Sequence, residues 1–320
     1  MQSALVDGVR QDPRAGAPAR TAPADQRRLG APLDRGDALR VARSGVNSMC
    51  DDHLAPGGNT REHSMRTNLK EKIALVTGAS SGLGAQFARV LAANGALTVL
   101  AARRVERLKE LRAQIESRGG AADVVPLDVT DPASIEAAVA KIEQENGPID
   151  ILVNNAGVSA VARLTEVSPV DFDYLFNTNV KGAFFVSQAV ARRMIGRAKE
   201  QQDFRGRIVN IASVAAFKPL SQIGVYCMTK AAVVQMTRAQ ALEWGRYGIN
   251  VSAICPGYIR TEINAEHWHT DAGRKLLQAL PRKRVGEPGD LDPVLLMLVA
   301  DESQFVNGAI VAADDGLSVT

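Results

Sequence analysis

The chain has 320 residues, 46% of them hydrophobic and 23% charged, with a formal net charge of +3; this balance excludes collagen-like, wholly disordered and nucleic-acid-coating proteins. There is no run of about 18 apolar residues and no basic start leading into an apolar core, so neither a membrane-spanning helix nor a secretory signal is predicted, and the expected location is the cytoplasm. The three cysteines, Cys50, Cys227 and Cys255, form no Cys-x-x-Cys pair, which predicts reduced thiols and argues against both a disulfide framework and a metal site.

Residues 1–64 contain no Phe, Trp, Tyr or Lys, and only nine of them are large aliphatics, below the roughly 20% a segment needs to offset its ordering entropy by burial. Nine Arg are balanced by eight Asp or Glu, which fits neither an acid-poor transit peptide nor a nucleic-acid arm. Residues 1–66 are therefore expected to be a disordered extension, or sequence preceding a start at Met65. Residues 67–320 are expected to form one folded domain.

From Ile73 onward short β-branched runs recur between helical stretches: 73–77, 97–101, 123–127, 149–153, 207–211, 250–254 and 309–312. Seven strands in a βαβ rhythm predict an α/β fold, a doubly wound, all-parallel sheet of the Rossmann type with helices on both faces. The first helix carries Leu83, Phe87, Val90 and Leu91 on one face and stops at Asn94-Gly95; another begins at Asp131-Pro132 with Ile135, Ala138, Val139 and Ile142 on one side.

Between the first strand and first helix lies Thr77-Gly78-Ala79-Ser80-Ser81-Gly82-Leu83-Gly84. Glycines there permit a tight turn and close approach of a pyrophosphate, while the free N–H groups of the helix start attract its charge. The second strand ends Ala101-Ala102-Arg103-Arg104, with Ala102 where an NAD enzyme places an acid for the ribose 2′-hydroxyl. Guanidiniums at that point suit a 2′-phosphate, so NADP(H) is favoured over NAD(H); the bland alternative is that both arginines only solvate the next helix.

Tyr226 and Lys230 stand four apart at the start of a long helical stretch, which puts phenol and ammonium on one face, and Ser213 follows the fifth strand at the sheet's carboxyl edge. A phenol with a reference pKa of about 10 is a poor acid or base at neutral pH, and a neighbouring cation is a remedy.

Together these features resemble the short-chain dehydrogenase/reductase family in its classical branch. The resemblance spans residues 67–320 and rests on the glycine turn, Asp128 after the third strand, Asn154-Asn155-Ala156-Gly157 after the fourth, Asn179, Ser213, Tyr226 with Lys230, and Pro256-Gly257 with Thr261 after the sixth. It implies that Tyr226 is the general acid in carbonyl reduction or the base in alcohol oxidation, that Ser213 binds the substrate oxygen, that Lys230 lowers the Tyr226 pKa and holds the nicotinamide ribose, and that Asn179 anchors a water on the proton path. It implies further that Gly78, Ser80, Ser81, Gly82, Leu83 and Gly84 line the cofactor together with Arg103, Arg104 and the Pro256-Gly257 turn. Asp128 and Val129 would meet the adenine, Asn155, Ala156 and Gly157 the adenosine side, and Ile259 and Thr261 the carboxamide. Asn154 would tie neighbouring strands. A homo-oligomer, dimer or tetramer, is also implied, with a small carbonyl or alcohol substrate and no nucleic-acid or membrane partner.

The chain departs from the family's frequent Asp-Gly-Gly near its end, having Asp314-Asp315-Gly316, expected to alter a subunit contact, while Cys227 beside Tyr226 is expected to pack. Substrate choice is expected from a lid around residues 262–284, which carries His267-Trp268-His269, Arg274-Lys275 and Arg282-Lys283-Arg284. Trp268 and the basic residues would either wall and grip a phosphate-bearing acyl carrier, or form an ordinary solvated lid whose Trp closes on the fold. Three functions follow: an NADP(H)-dependent carbonyl reductase or secondary-alcohol dehydrogenase, a 3-oxoacyl thioester reductase, or a non-catalytic dinucleotide sensor, the last disfavoured by the intact Asn179, Ser213, Tyr226 and Lys230 set.

Overall fold

Seven parallel strands form one sheet in the order β3-β2-β1-β4-β5-β6-β7: β1 (Ile73–Thr77), β2 (Leu97–Ala102), β3 (Ala121–Pro126), β4 (Ile151–Asn154), β5 (Gly206–Ile211), β6 (Ile249–Pro256) and β7 (Ile310–Ala313). The computed structural model describes residues 67–262 and 264–320, so the expected disordered extension and Cys50 lie outside the described residues. All seven strands stand within two residues of their predicted positions, and the largest slips have simple causes. β3 starts earlier because Ala121 and Ala122 pair with Leu97 and Thr98. β4 starts later because Ile149 and Asp150 precede the paired run that opens with Ile151 beside Ala74.

Alternation along the strands divides the core between the two faces of the sheet. Ala74, Val76, Ile151, Val153 and Val209 pack with α1 (Gly82–Ala93), α2 (Val105–Glu116) and α8 (Asp292–Val299). Ile73, Leu75, Leu152 and Ile208 pack on the other side with α3 (Pro132–Glu145), α5 (Ala183–Ala198) and the far end of α6 (Gly224–Trp244). Because both faces are covered, the strands read as largely apolar runs rather than half-polar ones, with Asp123, Arg207 and Asn210 among the interruptions. The helix signals hold: Asn94 caps α1, and Asp131 accepts from the Ala133 N–H with Pro132 in the first turn of α3.

The strand order reverses at β1, which pairs with β2 along one edge and with β4 along the other. Open parallel sheets bind ligands in the crevice beyond such a reversal. The glycine turn after β1 and Asn155-Ala156-Gly157 after β4 meet there. Between α4 (Pro169–Phe176) and α5 the chain makes a single π turn over Asn177–Gly182, an irregularity frequent at functional sites. Among the described residues no helix is long and apolar enough to cross a membrane.

Candidate active site

The floor of the crevice is built by Thr77, the last residue of β1. Its buried hydroxyl accepts from the backbone N–H groups of Asn155 and Ala156, both at 3.0 Å, and lies 3.5 Å from Asn154 Oδ1. Asn155 answers by donating its amide to the carbonyls of Thr77 (3.0 Å) and Gly78 (3.4 Å). This side chain therefore fastens the glycine turn to β4. Asn154 donates to Ala183 O and Ser187 Oγ, so its amide ties β4 to α5 rather than to a neighbouring strand, which it meets only through the Thr77 hydroxyl.

The cradle is shaped by what the glycines omit. Gly78 has φ +66°, and a Cβ on it would stand 2.9 Å from Ala156 Cα. A Cβ on Gly84 would stand 2.4 Å from the Gly78 carbonyl oxygen. The start of α1 has neither an acidic side chain in its first turn nor a side-chain cap, so its free N–H groups and dipole suit an external anion. Arg104 reaches back over this turn, donating to Ser80 Oγ at 2.9 and 3.2 Å and to Ser81 Oγ at 2.8 Å. Arg103 beside it is exposed. These residues fit a dinucleotide, offering bare backbone for a pyrophosphate with a guanidinium and two hydroxyls beside it.

Val129, 9% exposed, packs against Gly182 of the π turn, and Asp128 accepts from the Thr130 N–H and hydroxyl, contacts that hold its carboxyl below the usual carboxylate range. On the far side Gly257, after Pro256, lies against Asp314, where a Cβ would come within 2.8 Å of its Cα. Ile259 bridges to Gly286, and the Thr261 side chain approaches Gly82. Asn264 sets this wall: its Oδ1 accepts from the Thr261 N–H and the Trp268 indole, and its amide donates to Ile259 O.

The reacting groups converge at the sheet's carboxyl edge. Ser213 begins a short 3₁₀ turn, and its hydroxyl accepts from the Ala215 N–H at 3.1 Å while reaching the Tyr226 hydroxyl. Tyr226 and Lys230 open α6, with the ammonium 5.6 Å from the phenol ring centroid. Lys230 is buried and donates to Ile211 O at 2.8 Å. Burial pushes the Tyr226 phenol above its ordinary pKa, opposed by the hydrogen bond with Ser213, and lowers Lys230 to about 8. Burial is the largest influence on the phenol, and it opposes rather than promotes ionisation of Tyr226. Asn179 is 1% exposed and pairs twice with the Val158 backbone, Oδ1 accepting at 2.7 Å and Nδ2 donating at 2.8 Å.

In the lid, Trp268 is 7% exposed and joins Val214, Leu280, Val285 and Leu317 in a small apolar cluster, edge-on to Tyr258. The Trp thus closes on the fold, behind the turn that carries Ser213. The lid's three arginines are engaged as well, whereas Lys275 and Lys283 are exposed: Arg274 pairs with Asp271, while Arg282 and Arg284 each reach Asp315 at 2.9 Å. Asp315 itself has φ +56°, the left-handed region that its family glycine would occupy freely and that Asp tolerates better than most residues. The departure from Asp-Gly-Gly is thus matched within the chain by two guanidiniums. Replacing Asp315 by Asn should free both arginines and speed amide exchange over residues 280–286, with little change in Tm because exposed ion pairs contribute little; unchanged exchange there would show that the clasp does not hold the lid. Cys227 is buried, and its Sγ lies 3.4 Å from the Leu220 N–H, a packing role as expected.

Three buried or half-buried polar residues carry no role in the sequence pattern: Thr77 closing β1, Asn264 in the turn beyond β6, and Thr229 within α6, fully buried one position before Lys230. A polar residue closing the buried strand β1 was the available signal for Thr77.

A sequence model of the "short chain dehydrogenase" family matches residues 72–272. Gluconate 5-dehydrogenase of Gluconobacter oxydans is 41% identical over 251 residues, covering 77% of this chain and 94% of that protein. D-threitol dehydrogenase of Mycolicibacterium smegmatis is 36% identical over 251 residues, 78% of this chain and 94% of that protein. Among solved structures, a gluconate 5-dehydrogenase from Burkholderia cenocepacia in complex with NADP and tartrate superposes with a TM-score of 0.75 at 37% identity, covering 80% of this chain and 98% of that one. Sequence, sheet order and site agree, and the chain belongs to the short-chain dehydrogenase/reductase family of NAD(P)-dependent oxidoreductases acting on CH–OH groups.

Proposed function

We propose that the chain is an NADP(H)-dependent oxidoreductase that interconverts a small polyhydroxylated secondary alcohol, a polyol or sugar acid, with its ketone, using Tyr226 as acid and base. The observation that carries this reading is the convergence of Ser213, Tyr226 and Lys230 at the sheet's carboxyl edge, beside a glycine cradle whose helix start has no anion of its own. Gly78, Ser80, Ser81, Gly82, Leu83 and Gly84 would hold the pyrophosphate side, with Asp128, Val129 and the backbone of Asn155-Ala156-Gly157 at the adenosine. Pro256, Gly257, Ile259 and Thr261 would meet the nicotinamide end, and Lys230 its ribose. The bound dinucleotide supplies or accepts the hydride. The protein's part is to stabilise charge on the substrate oxygen as it develops: Ser213 donates to that oxygen, and Tyr226, protonated at neutral pH, delivers the proton.

The relatives that act on gluconate and threitol support a hydroxylated substrate. The engagement of Arg274, Arg282 and Arg284 with carboxylates of the same chain argues against a grip on a phosphate-bearing carrier. Exposed Phe172, Tyr174 and Phe184 on α4 and α5 support a homo-oligomer, which sedimentation would measure.

A panel of polyols, sugar acids, ketones and acyl thioesters, each with NADP(H) and NAD(H), tests the assignment. Turnover restricted to thioesters would replace the substrate reading. The cofactor reading rests on Arg104 over Ser80 and Ser81. Exchanging Ala102 for Asp and Arg104 for Leu should weaken NADPH about tenfold to a hundredfold, the loss of one charge-assisted contact and the gain of a repulsive carboxylate, while sparing NADH. A wild-type preference for NADH would overturn it.

A further inference from the structure

Thr229 lies between the two catalytic residues of α6 in sequence, yet it faces away from the crevice into the protein, with none of its surface exposed. Its hydroxyl donates to the Tyr226 backbone carbonyl at 2.7 Å and receives the Asn179 amide Nδ2 at 3.1 Å. A hydroxyl has one hydrogen. With that hydrogen directed at a carbonyl, which can only accept, Thr229 presents lone pairs to Asn179, and only the NH₂ end of the amide satisfies them. Both N–H bonds of Asn179 are thereby engaged, one by Val158 O and one by Thr229. The carbonyl end of the amide faces the Val158 N–H and the side of the site where Gly157 lacks a Cβ. A Cβ placed there would stand 3.3 Å from Asn179 Oδ1 and 3.5 Å from Lys230 Nζ, so amide oxygen and ammonium border the same small space.

We infer that Thr229 is a positioning residue of the reaction: its hydroxyl ties the turn carrying Tyr226 and Lys230 to the π turn carrying Asn179 and keeps the oxygen of that amide, not its NH₂, toward Lys230. The inference rests on the proposed role of Tyr226 and Lys230 and extends it to a residue that touches neither substrate nor cofactor. Without the hydroxyl, Asn179 would keep a buried N–H with no partner, and the amide would lose one of three bonds that fix its orientation. A reversed amide would place donors against the Val158 N–H and the ammonium. The first turn of α6 would keep its helical hydrogen bonds but lose its link to the π turn, and small misplacements of an acid lower turnover more than they lower binding.

The test uses Thr229→Val, which preserves shape and removes only the hydroxyl, and Thr229→Ser, which restores it. Thr229→Val should lower kcat about five- to a hundredfold with the NADPH Kd unchanged, and Thr229→Ser should recover most of the loss. If the hydroxyl acts through Asn179, adding Asn179→Ala to Thr229→Val should cost clearly less than Asn179→Ala alone. Wild-type kcat in Thr229→Val, no recovery in Thr229→Ser, or penalties that simply add would each overturn the inference. Should Thr229→Val fail to fold, Thr229→Cys, a weak donor of similar size, replaces it, and a kcat equal to that of Thr229→Ser refutes the role. Tyr226→Phe run alongside separates the levels. A silent Tyr226→Phe overturns both readings, whereas a dead Tyr226→Phe beside an unaffected Thr229→Val overturns this one alone.

Discussion

Tyr226→Phe is expected to abolish turnover while leaving NADPH binding nearly unchanged. The substitution keeps the ring in its place beside Lys230 and deletes the hydroxyl that Ser213 meets, so packing survives and the proton donor does not. General acid catalysis contributes about 10²- to 10⁴-fold, and kcat should fall by at least that range. Ser213→Ala should lower kcat by a smaller factor, since it removes one donor to the developing alkoxide, again with cofactor affinity little altered. The elevated phenol pKa adds a directional expectation. A protonated Tyr226 is ready to reduce a carbonyl at neutral pH, whereas alcohol oxidation needs its phenolate, so oxidation should accelerate as pH rises out of the neutral range. Fluorescence titration with NADPH alongside initial rates in both directions reads all three. A Tyr226→Phe enzyme retaining most of its activity would show that another group carries the proton.

The sheet was legible because a parallel strand buried on both faces is a largely apolar run. Ile73–Thr77 could hardly be read otherwise, Arg207–Ile211 kept enough of the pattern despite Arg207 and Asn210, and the turn residues between strand and helix marked the phosphate cradle. Tyr226 and Lys230 were legible for a geometric reason: four residues on a helix is one face. What the sequence hid is what depends on distant partners. Asn179 and Thr229 are 50 residues apart, and Arg284 and Asp315 are 31 apart, so neither contact leaves a local pattern. Asp315 showed only as a missing glycine, and the two arginines that match it looked like a basic surface run. The balance of forces on Tyr226 was hidden for a related reason: a nearby ammonium can be inferred from spacing, but how deeply phenol and ammonium are buried depends on how β5, β6 and α6 close together. Burial changes the expected ordering, raising the phenol and lowering the amine.

That lowered amine makes Lys230 a strained residue, and Lys230→Met is expected to stabilise the fold while disabling the site. Burial brings Lys230 from 10.5 to about 8, a gap worth roughly 3 kcal/mol against the folded state near neutral pH. Met fills similar space without charge but forfeits the hydrogen bond to Ile211 O, about 1 kcal/mol, leaving a net gain of about 2 kcal/mol. The pH dependence follows from proton binding. Between about 8 and 10.5 the unfolded chain holds the Lys230 proton and the folded protein releases it, so wild-type stability from this group rises with pH through that window. Below about 8 the folded enzyme carries the full burden, and the advantage of Lys230→Met should be largest there, shrinking toward zero as pH approaches 10.5. Urea unfolding of both proteins at about pH 7 and about pH 9.5 measures the difference and its decline. In function the order reverses: the variant lacks the cation proposed for the ribose, so NADPH should bind about tenfold or more weakly and turnover should fall with it. A variant less stable than wild type at neutral pH would mean that the Ile211 carbonyl and the groups around it more than offset the burial, and that the ammonium is held by its surroundings rather than strained by them.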